Sequence, residues 1–356
     1  MDHYGIVHTI HPKVPVYGSM GTGKLLEVSS IFLPDAPPLV GFHPVAENEN
    51  FLIGPFSIRL HPVDHSAPHA MAILVRCDNQ MIVYSGDLRG HGRNPELIDA
   101  LANAGKDADA LILEGTTIGQ DINEHGYTNE QSVEDALVKV LQENAALVVV
   151  IASGQNLDRV VTSYRAAQST GRDLILDTYQ AYILHELKNY FPGAPQYNSP
   201  GVRVKFISSQ VENLKRVGKM DFVYRLARAS KVTRNQIADN PEKYIYLARG
   251  NDATTRLLYS LHQSANTVIV WSLWRGYYRK RNFISLYCER TGKAPLFIHS
   301  GGHATINDLQ RFVAQMSPSV VIPIHTQHPE EYAAYFQMTW HLADGESFNL
   351  EGEKRK

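Results

Sequence analysis

Five residues stand out for the chemistry they could do: Asp2, His3, His65, Asp87 and His325. Neutral imidazoles and carboxylates brought together from separate strand ends suit Zn²⁺, or Mn²⁺ where a site is rich in oxygen. An aspartate at a strand end has two oxygens and can bridge two ions about 3.5–4 Å apart, an arrangement used for displacement at phosphorus. A single histidine after a strand is ordinarily just a polar residue. Five such residues, set among segments of one repeated design, carry more weight.

That design is a short, β-branched apolar run that stops at a ligand-type or small residue. Ser57 to Leu60 runs into His61-Pro-Val-Asp-His65-Ser66, Met81 to Tyr84 into Ser85-Gly86-Asp87, and Ala110 to Leu113 into Glu114-Gly115-Thr116. Pro295 to Ile298 runs into His299-Ser300-Gly301-Gly302-His303, and Ser319 to Ile324 into His325-Thr326. Continuous runs of this length predict strands buried on both faces. Side chains at the C-terminal ends of strands in an α/β sheet converge on a crevice. From about Thr128 to Lys293 the pattern changes, and helix-period segments alternate with apolar runs such as Leu147–Ile151, Leu174–Leu176, Val202–Ile207, Tyr244–Leu247 and Thr267–Trp271. This predicts βαβ units with a parallel sheet. Thr128-Asn-Glu-Gln131 reads as a capping box, with Val133, Ala136, Leu137, Val140 and Leu141 on one face of the helix that follows. A helix–strand domain is therefore expected inside a strand-and-ligand domain: residues 1–120 and 294–356 on either side of 121–293.

Composition bounds the rest. The 356 residues are 44% apolar and 20% charged, which excludes intrinsic disorder. Two distant cysteines, Cys77 and Cys288, make neither a disulfide scaffold nor a Cys-rich zinc module. The longest uninterrupted apolar run, Ala145 to Ala152, is far short of the ~20 residues that a spanning helix needs. Met1-Asp2-His3-Tyr4-Gly5 shows no secretory pattern, so a soluble cytoplasmic protein with no membrane partner is expected. A net charge of −2 gives no global pull toward nucleic acid, leaving any such binding to local patches. Histidine is the abundant polar residue, with 16 copies.

Taken together, the motifs resemble the metallo-β-lactamase superfamily and, within it, the β-CASP nucleases of ribonuclease J type. Asp2-His3-Tyr4-Gly5 looks like the end of a His-x-His-x-Asp-His signature, His65-Ser66-Ala67-Pro68 like the third motif, and Tyr84-Ser-Gly-Asp87-Leu-Arg89 like the fourth. Glu114-Gly-Thr116, Ser300-Gly-Gly-His303-Ala304 and Ile322-Pro-Ile-His325-Thr326 fit β-CASP motifs A, B and C. The resemblance covers essentially the whole chain. It implies an αββα metallo-β-lactamase sandwich, incomplete at its N-terminus, with an inserted parallel α/β β-CASP domain. It also implies two divalent ions, zinc with manganese as the alternative, held by Asp2, His3, His65, Asp87 and His325. Hydrolysis of RNA phosphodiester bonds by a metal-activated hydroxide would follow. Asp2 would orient the water, and His303 would act as general acid with Glu114 fixing its tautomer. The small residues Ser300, Gly301, Gly302 and Ala304 would leave backbone N–H groups open to a phosphate. A histidine in motif C favours RNA over DNA. The signature's two earlier histidines would precede Met1, so the chain is expected to begin at an internal methionine.

Gly18-Ser-Met-Gly-Thr-Gly23-Lys24-Leu25 nearly spells a phosphate-binding loop, but Leu25 cannot hold Mg²⁺, and a Gly-rich turn opening a helix is expected. Lys215, Arg216, Lys219, Arg225, Arg228, Lys231 and Arg234 read as a solvated helix face. Arg275-Gly-Tyr277-Tyr278-Arg279-Lys-Arg281 mixes cations with rings in the manner of a single-strand grip, with Arg275 and Arg279 as substrate contacts. Trp271 and Trp274 read as core. His8, His11, His43, His61 and His69 match no motif and read as surface or supporting residues. Two competing readings stay open: a catalytically impaired RNA-binding or assembly subunit, and a metallo-hydrolase of small esters or phosphoesters. RNA is the expected partner, and a homo-oligomer is also open.

Overall fold

The computed structural model describes residues 14–33, 41–120, 128–262, 266–350 and 354–355; Asp2, His3, His8 and His11 lie outside them. In chain order the first elements are β1 (Val16–Ser19), α1 (Met20–Ser30), β2 (Phe42–Val45), β3 (Asn50–Ile53), β4 (Phe56–Pro62) and β5 (Met71–Cys77). Then come β6 (Gln80–Tyr84), α2 (Glu96–Ala104) and β7 (Ala110–Glu114). The middle alternates: α3 (Glu130–Glu143), β8 (Leu147–Ile151), α4 (Leu157–Ser169), β9 (Asp173–Asp177), α5 (Thr178–Glu186) and β10 (Val202–Lys205). It continues with α6 (Ser208–Arg216), α7 (Met220–Ala229), β11 (Lys231–Val232), α8 (Arg234–Asp239), β12 (Tyr244–Ala248) and α9 (Asp252–Leu261). β13 (Thr267–Trp271), α10 (Arg275–Arg279), α11 (Phe283–Thr291), β14 (Leu296–Phe297), α12 (Ile306–Met316) and β15 (Val321–Ile324) follow.

Described residues within Lys24–Gly41 and His125–Ser300 form one compact unit; those within Pro15–Gly23, Phe42–Glu124 and Gly301–Lys356 form another. The first holds a seven-stranded sheet, β11-β10-β9-β12-β8-β13-β14, in which every pair is parallel. All of β8 is buried because helices cover both faces of the sheet. Val148 and Val150 pack with Leu137, Leu141 and Val160, while Leu147, Val149 and Ile151 pack with Leu258 and Tyr287. The capping box of α3 sits one residue later than its sequence suggested. Asn129 is the N-cap, its side chain accepting from the Ser132 amide at 2.8 Å, and Ser132 Oγ accepts from the Asn129 amide at 3.2 Å. Asparagine caps at least as well as threonine. The strand read at Pro295–Ile298 is the two-residue β14, which pairs with β13 at this sheet's edge.

The second unit holds a six-stranded mixed sheet, β15-β7-β6-β5-β4-β3. Its core joins Ala72, Leu74, Met81, Val83, Leu111 and Leu113 to Ile98 and Leu101 of α2 and to Leu309, Phe312 and Met316 of α12. Here the expectation of strands buried on both faces fails for β6, and β5, which was not read from the sequence, shows the same pattern. Ala72, Leu74, Met81 and Val83 are buried while Ile73, Val75 and Ile82 are half-buried, the alternation of a sheet with one well-covered face.

β1 leads straight into α1, with Ser19 Oγ accepting from the Thr22 amide at 3.1 Å. Gly21 lies against the His69 ring and Gly23 against Phe42, where a Cβ would collide, so these glycines serve ring packing rather than a phosphate loop. Trp271 is buried as expected, but Trp274 is 38% exposed beside Tyr277, which is 55% exposed. Its ring lies over Gly276 at the start of α10, a helix too short to bury it. Among the described residues both cysteines are free, and no helix is long and apolar enough to cross a membrane.

Candidate active site

Strand direction assembles the site. β3 and β5 run antiparallel to their neighbours, whereas β4, β6, β7 and β15 all run one way. Whatever follows those four C-terminal ends emerges at one end of the sheet. His65 lies just beyond β4 and Asp87 just beyond β6; Glu114 ends β7, and His325 follows β15 directly. Ile324 pairs with Glu114, which brings His325 Nδ1 to 3.0 Å from Thr116 Oγ1. His325 itself takes a left-handed backbone, φ 51°. That region is uncommon without glycine, although histidine is among the residues enriched there.

Asp87 stands between two imidazoles. Its Oδ2 is 3.9 Å from His65 Nε2 and its Oδ1 is 3.2 Å from His325 Nδ1. The His303 ring is 5.1 Å from that of His65 and 5.4 Å from that of His325, centroid to centroid. Donor atoms of His65, Asp87 and His303 lie within 4.8 Å of one another, and so do those of Glu114, His303 and His325. His65 Nδ1 is 2.5 Å from the Gly302 carbonyl, which can only accept. Nδ1 therefore carries the proton, and Nε2 turns a lone pair toward Asp87 Oδ2. Two acceptors facing each other with no proton between them fit a cation. Burial, with the charge of His303 adding to it, pushes the His65 imidazole down to about 4, so it is neutral at pH 7 as a metal ligand must be.

Glu114 is 1% exposed and lies 3.3 Å from His303 Nδ1. It also accepts from the Thr116 amide at 3.0 Å and the Leu88 amide at 3.3 Å. Burial raises its pKa, but the His303 hydrogen bond and charge, with the two amides, outweigh burial and hold the carboxyl below its ordinary value. An ionised, buried carboxylate thus fixes Nδ1–H on His303 and leaves Nε2 for proton exchange.

The turn that carries His303 is pinned on several sides. Arg89 Nη1 donates to the Gly301 carbonyl at 3.1 Å, and His91 Nε2 lies at the same distance from it. Ala304 donates to the Leu88 carbonyl at 2.6 Å and accepts from Thr117 Oγ1 at 2.7 Å. Arg89, wholly buried, is paired through Nε with Asp64 Oδ1 at 2.7 Å, and Asp64 Oδ2 accepts from the Asn94 amide at 2.6 Å. A Cβ on Gly302 would fall 2.6 Å from Ser66 Oγ, so close packing requires glycine there. Gly115 is required for the same reason, with the Tyr332 hydroxyl against it, donating to the Leu113 carbonyl at 3.0 Å.

The structure brings His65, Asp87, Glu114, His303 and His325 together; Asp2 and His3 lie outside the described residues. Ser300 and Ala304 depart from their expected substrate role. Ser300 is 1% exposed, its hydroxyl donating to Glu130 Oε1 at 2.8 Å and accepting from Arg159 Nη2 at 3.2 Å. Ala304 is fully buried, with its amide taken by Leu88. Gly301 and Gly302 remain half-buried. Arg275 and Arg279, on α10 of the other unit, are exposed, and Arg275 lies over the Phe297 ring at 4.4 Å. Sequence reasoning quoted Thr116, Asp64 and Arg89 inside its motifs but gave them no role, because their pairings with His325 and with each other span distant chain.

Residues 1–151 match the beta-lactamase superfamily domain. The chain is 26% identical over 192 residues to "Ribonuclease J" of Sinorhizobium meliloti, covering 49% of this chain and 32% of that protein. It is 25% identical over 172 residues to "Ribonuclease J 2" of Streptococcus pyogenes serotype M3, covering 46% of this chain and 30% of the relative. The match thus spans about a third of the length of these curated relatives. A crystal structure of a protein of unknown function from Enterococcus faecalis V583 shares the fold, with a TM-score of 0.70 at 20% identity over 97% of this chain and 76% of that one. The superfamily recognition and the mixed α/β fold read from the motifs are borne out, and the superfamily match supports a hydrolase that binds divalent metal.

Proposed function

We propose, on the premise that residues 1–151 carry a metallo-β-lactamase domain, that this chain hydrolyses RNA phosphodiester bonds with divalent metal. The observation that supports it most is Asp87 set between His65 and His325, with the His303–Glu114 pair beside them. His65, Asp87 and His325 would hold the metal, joined by Asp2 and His3. One Asp87 oxygen faces each histidine, which favours two ions, and the imidazole and carboxylate donors favour zinc, with manganese second. Bound there, a divalent ion supplies Lewis acidity and brings the pKa of a coordinated water to about 7.

The chain's own residues supply the proton and the geometry. His303 gives a proton from Nε2 to the leaving oxygen, and Glu114 stabilises the imidazolium and holds the ring in place. Asp2 orients the attacking water. Gly301 and Gly302 present a turn without side chains, so a phosphate oxygen can approach backbone N–H groups. Arg275 and Arg279, with exposed Trp274 and Tyr277, offer cations and rings to a single strand. In this reading the β-CASP insertion, expected at 121–293 between 1–120 and 294–356, runs on to Ser300 and packs with described residues within Lys24–Gly41, and the protein works in the cytoplasm.

The test combines metal analysis with cleavage of a labelled single-stranded RNA. Asp87→Ala is expected to lose metal and activity together, and His303→Ala to retain metal while slowing cleavage by roughly 10²–10⁴. Cleavage that survives Asp87→Ala overturns the proposal. Hydrolysis of a small phosphodiester without RNA cleavage points to the esterase reading, and RNA binding without hydrolysis to the assembly reading.

A further inference from the structure

We propose that β3, β4 and β5 hold an oxyanion site for a phosphate group, built on Arg59 and Arg76. Strand register creates it. Arg59 pairs with Asn50 on one side and with Leu74 on the other, and Ser57 pairs with Arg76. These five residues line a cavity of about 210 Å³. No carboxylate lines it, and no ion pair or hydrogen bond to either guanidinium is found among the described residues. Arg59 Nε is buried without a partner, an expensive state for a charged donor. Leu74, the cavity's apolar wall, belongs to the core under α2 and α12, so the site sits at the margin of the helix-covered face.

Two guanidinium groups sharing one concavity repel each other, and a phosphate bound between them relieves that repulsion, a doubly charged one more than a singly charged diester. Their planar forks match phosphate oxygens, and the Asn50 amide and Ser57 hydroxyl add neutral donors. The volume admits a phosphate together with part of whatever it is esterified to. The ligand is therefore either free phosphate (or a phosphomonoester) or one phosphate of a nucleic-acid strand, and the inference holds whether or not the chain cleaves RNA.

Calorimetric titration with inorganic phosphate and, separately, with a ten-nucleotide single-stranded RNA tests this, using wild type, Arg76→Gln and Arg59→Gln/Arg76→Gln. None of these substitutions touches the candidate active site. A tenfold or greater weakening for phosphate upholds the site with the small anion as ligand. Weakening for RNA alone, with the salt slope reduced by about 1 per arginine, upholds it with a strand phosphate as ligand. Arg76 is exposed, so Arg76→Gln serves if the double variant fails to fold, and Arg76→Lys is expected to restore part of the binding. Wild type binding neither probe, or affinities for both unchanged within twofold in Arg76→Gln, overturns it.

Discussion

The candidate site depends on charges placed out of water. Arg89 and Asp64 are both buried, and an arginine that loses its carboxylate, or the reverse, leaves an uncompensated ion. Arg89→Met is expected to destabilise the protein by about 3–5 kcal/mol, read by urea unfolding, with Asp64→Asn in the same chain recovering part of the loss. Asp308 gives a pH-dependent case. Burial raises its pKa, but the His91 imidazole 3.6 Å away and hydrogen bonds from the Thr305 hydroxyl and amide outweigh that and hold it below the ordinary value. The unfolded chain then binds more protons between the folded pKa and about 3.9. This stability is complete above about 3.9 and lost as pH falls through the folded value. Asp308→Asn should therefore destabilise at pH 7, by about 1 kcal/mol, with the difference closing in acid unfolding curves as pH falls through the folded value. His65, Asp87, Glu114, His303 and His325 were legible because each follows an apolar run. Ser300 misled because a small residue in a glycine turn reads as open, while the distant pair Glu130–Arg159 draws its hydroxyl inward. Such pairings span long stretches of chain, and no local period records them.

At the scale of elements, periodicity carried most of the reading. Leu147–Ile151 and Thr267–Trp271 form strands with the bounds their apolar runs suggested, because both faces of the seven-stranded sheet are covered. The shortfall lay in short elements, where one or two residues decide the outcome. Asn129 displaces Thr128 as the cap of α3, and β14 joins β13 rather than a ligand-bearing strand. Trp274 is apolar by type but sits at the N-cap of a five-residue helix too short to bury it. The end of β7 shows how tightly an element can fix a site. Gly115 lies between Glu114 and Thr116 with the Tyr332 hydroxyl against it, so Gly115→Ala must push the tyrosine away. We expect a loss of about 1–3 kcal/mol by thermal unfolding, together with reduced metal affinity as Thr116 and His325 shift.

For the whole molecule, the proposed substrate grip on α10 and the proposed chemistry lie in different units, each with its own core. Arg275→Ala/Arg279→Ala is expected to weaken RNA binding and lower its salt slope by about 1–2, measured by fluorescence anisotropy, with metal content unchanged. The parallel pairing of β15 with β7 has a consequence in time as well as space. Thr116 and His325 meet across 209 positions of sequence. Loop-closure entropy grows only logarithmically, so a segment of that length adds little to the equilibrium cost of bringing them together. Synthesis is another matter: at about 5–20 residues per second, His325 leaves the ribosome's catalytic centre roughly 10–40 s after Thr116. Until His325 is made, Asp87 has only His65 and His303 beside it among the described residues. On the proposed reading, the site therefore stays incomplete for most of translation and gains His325 only once β15 has been made.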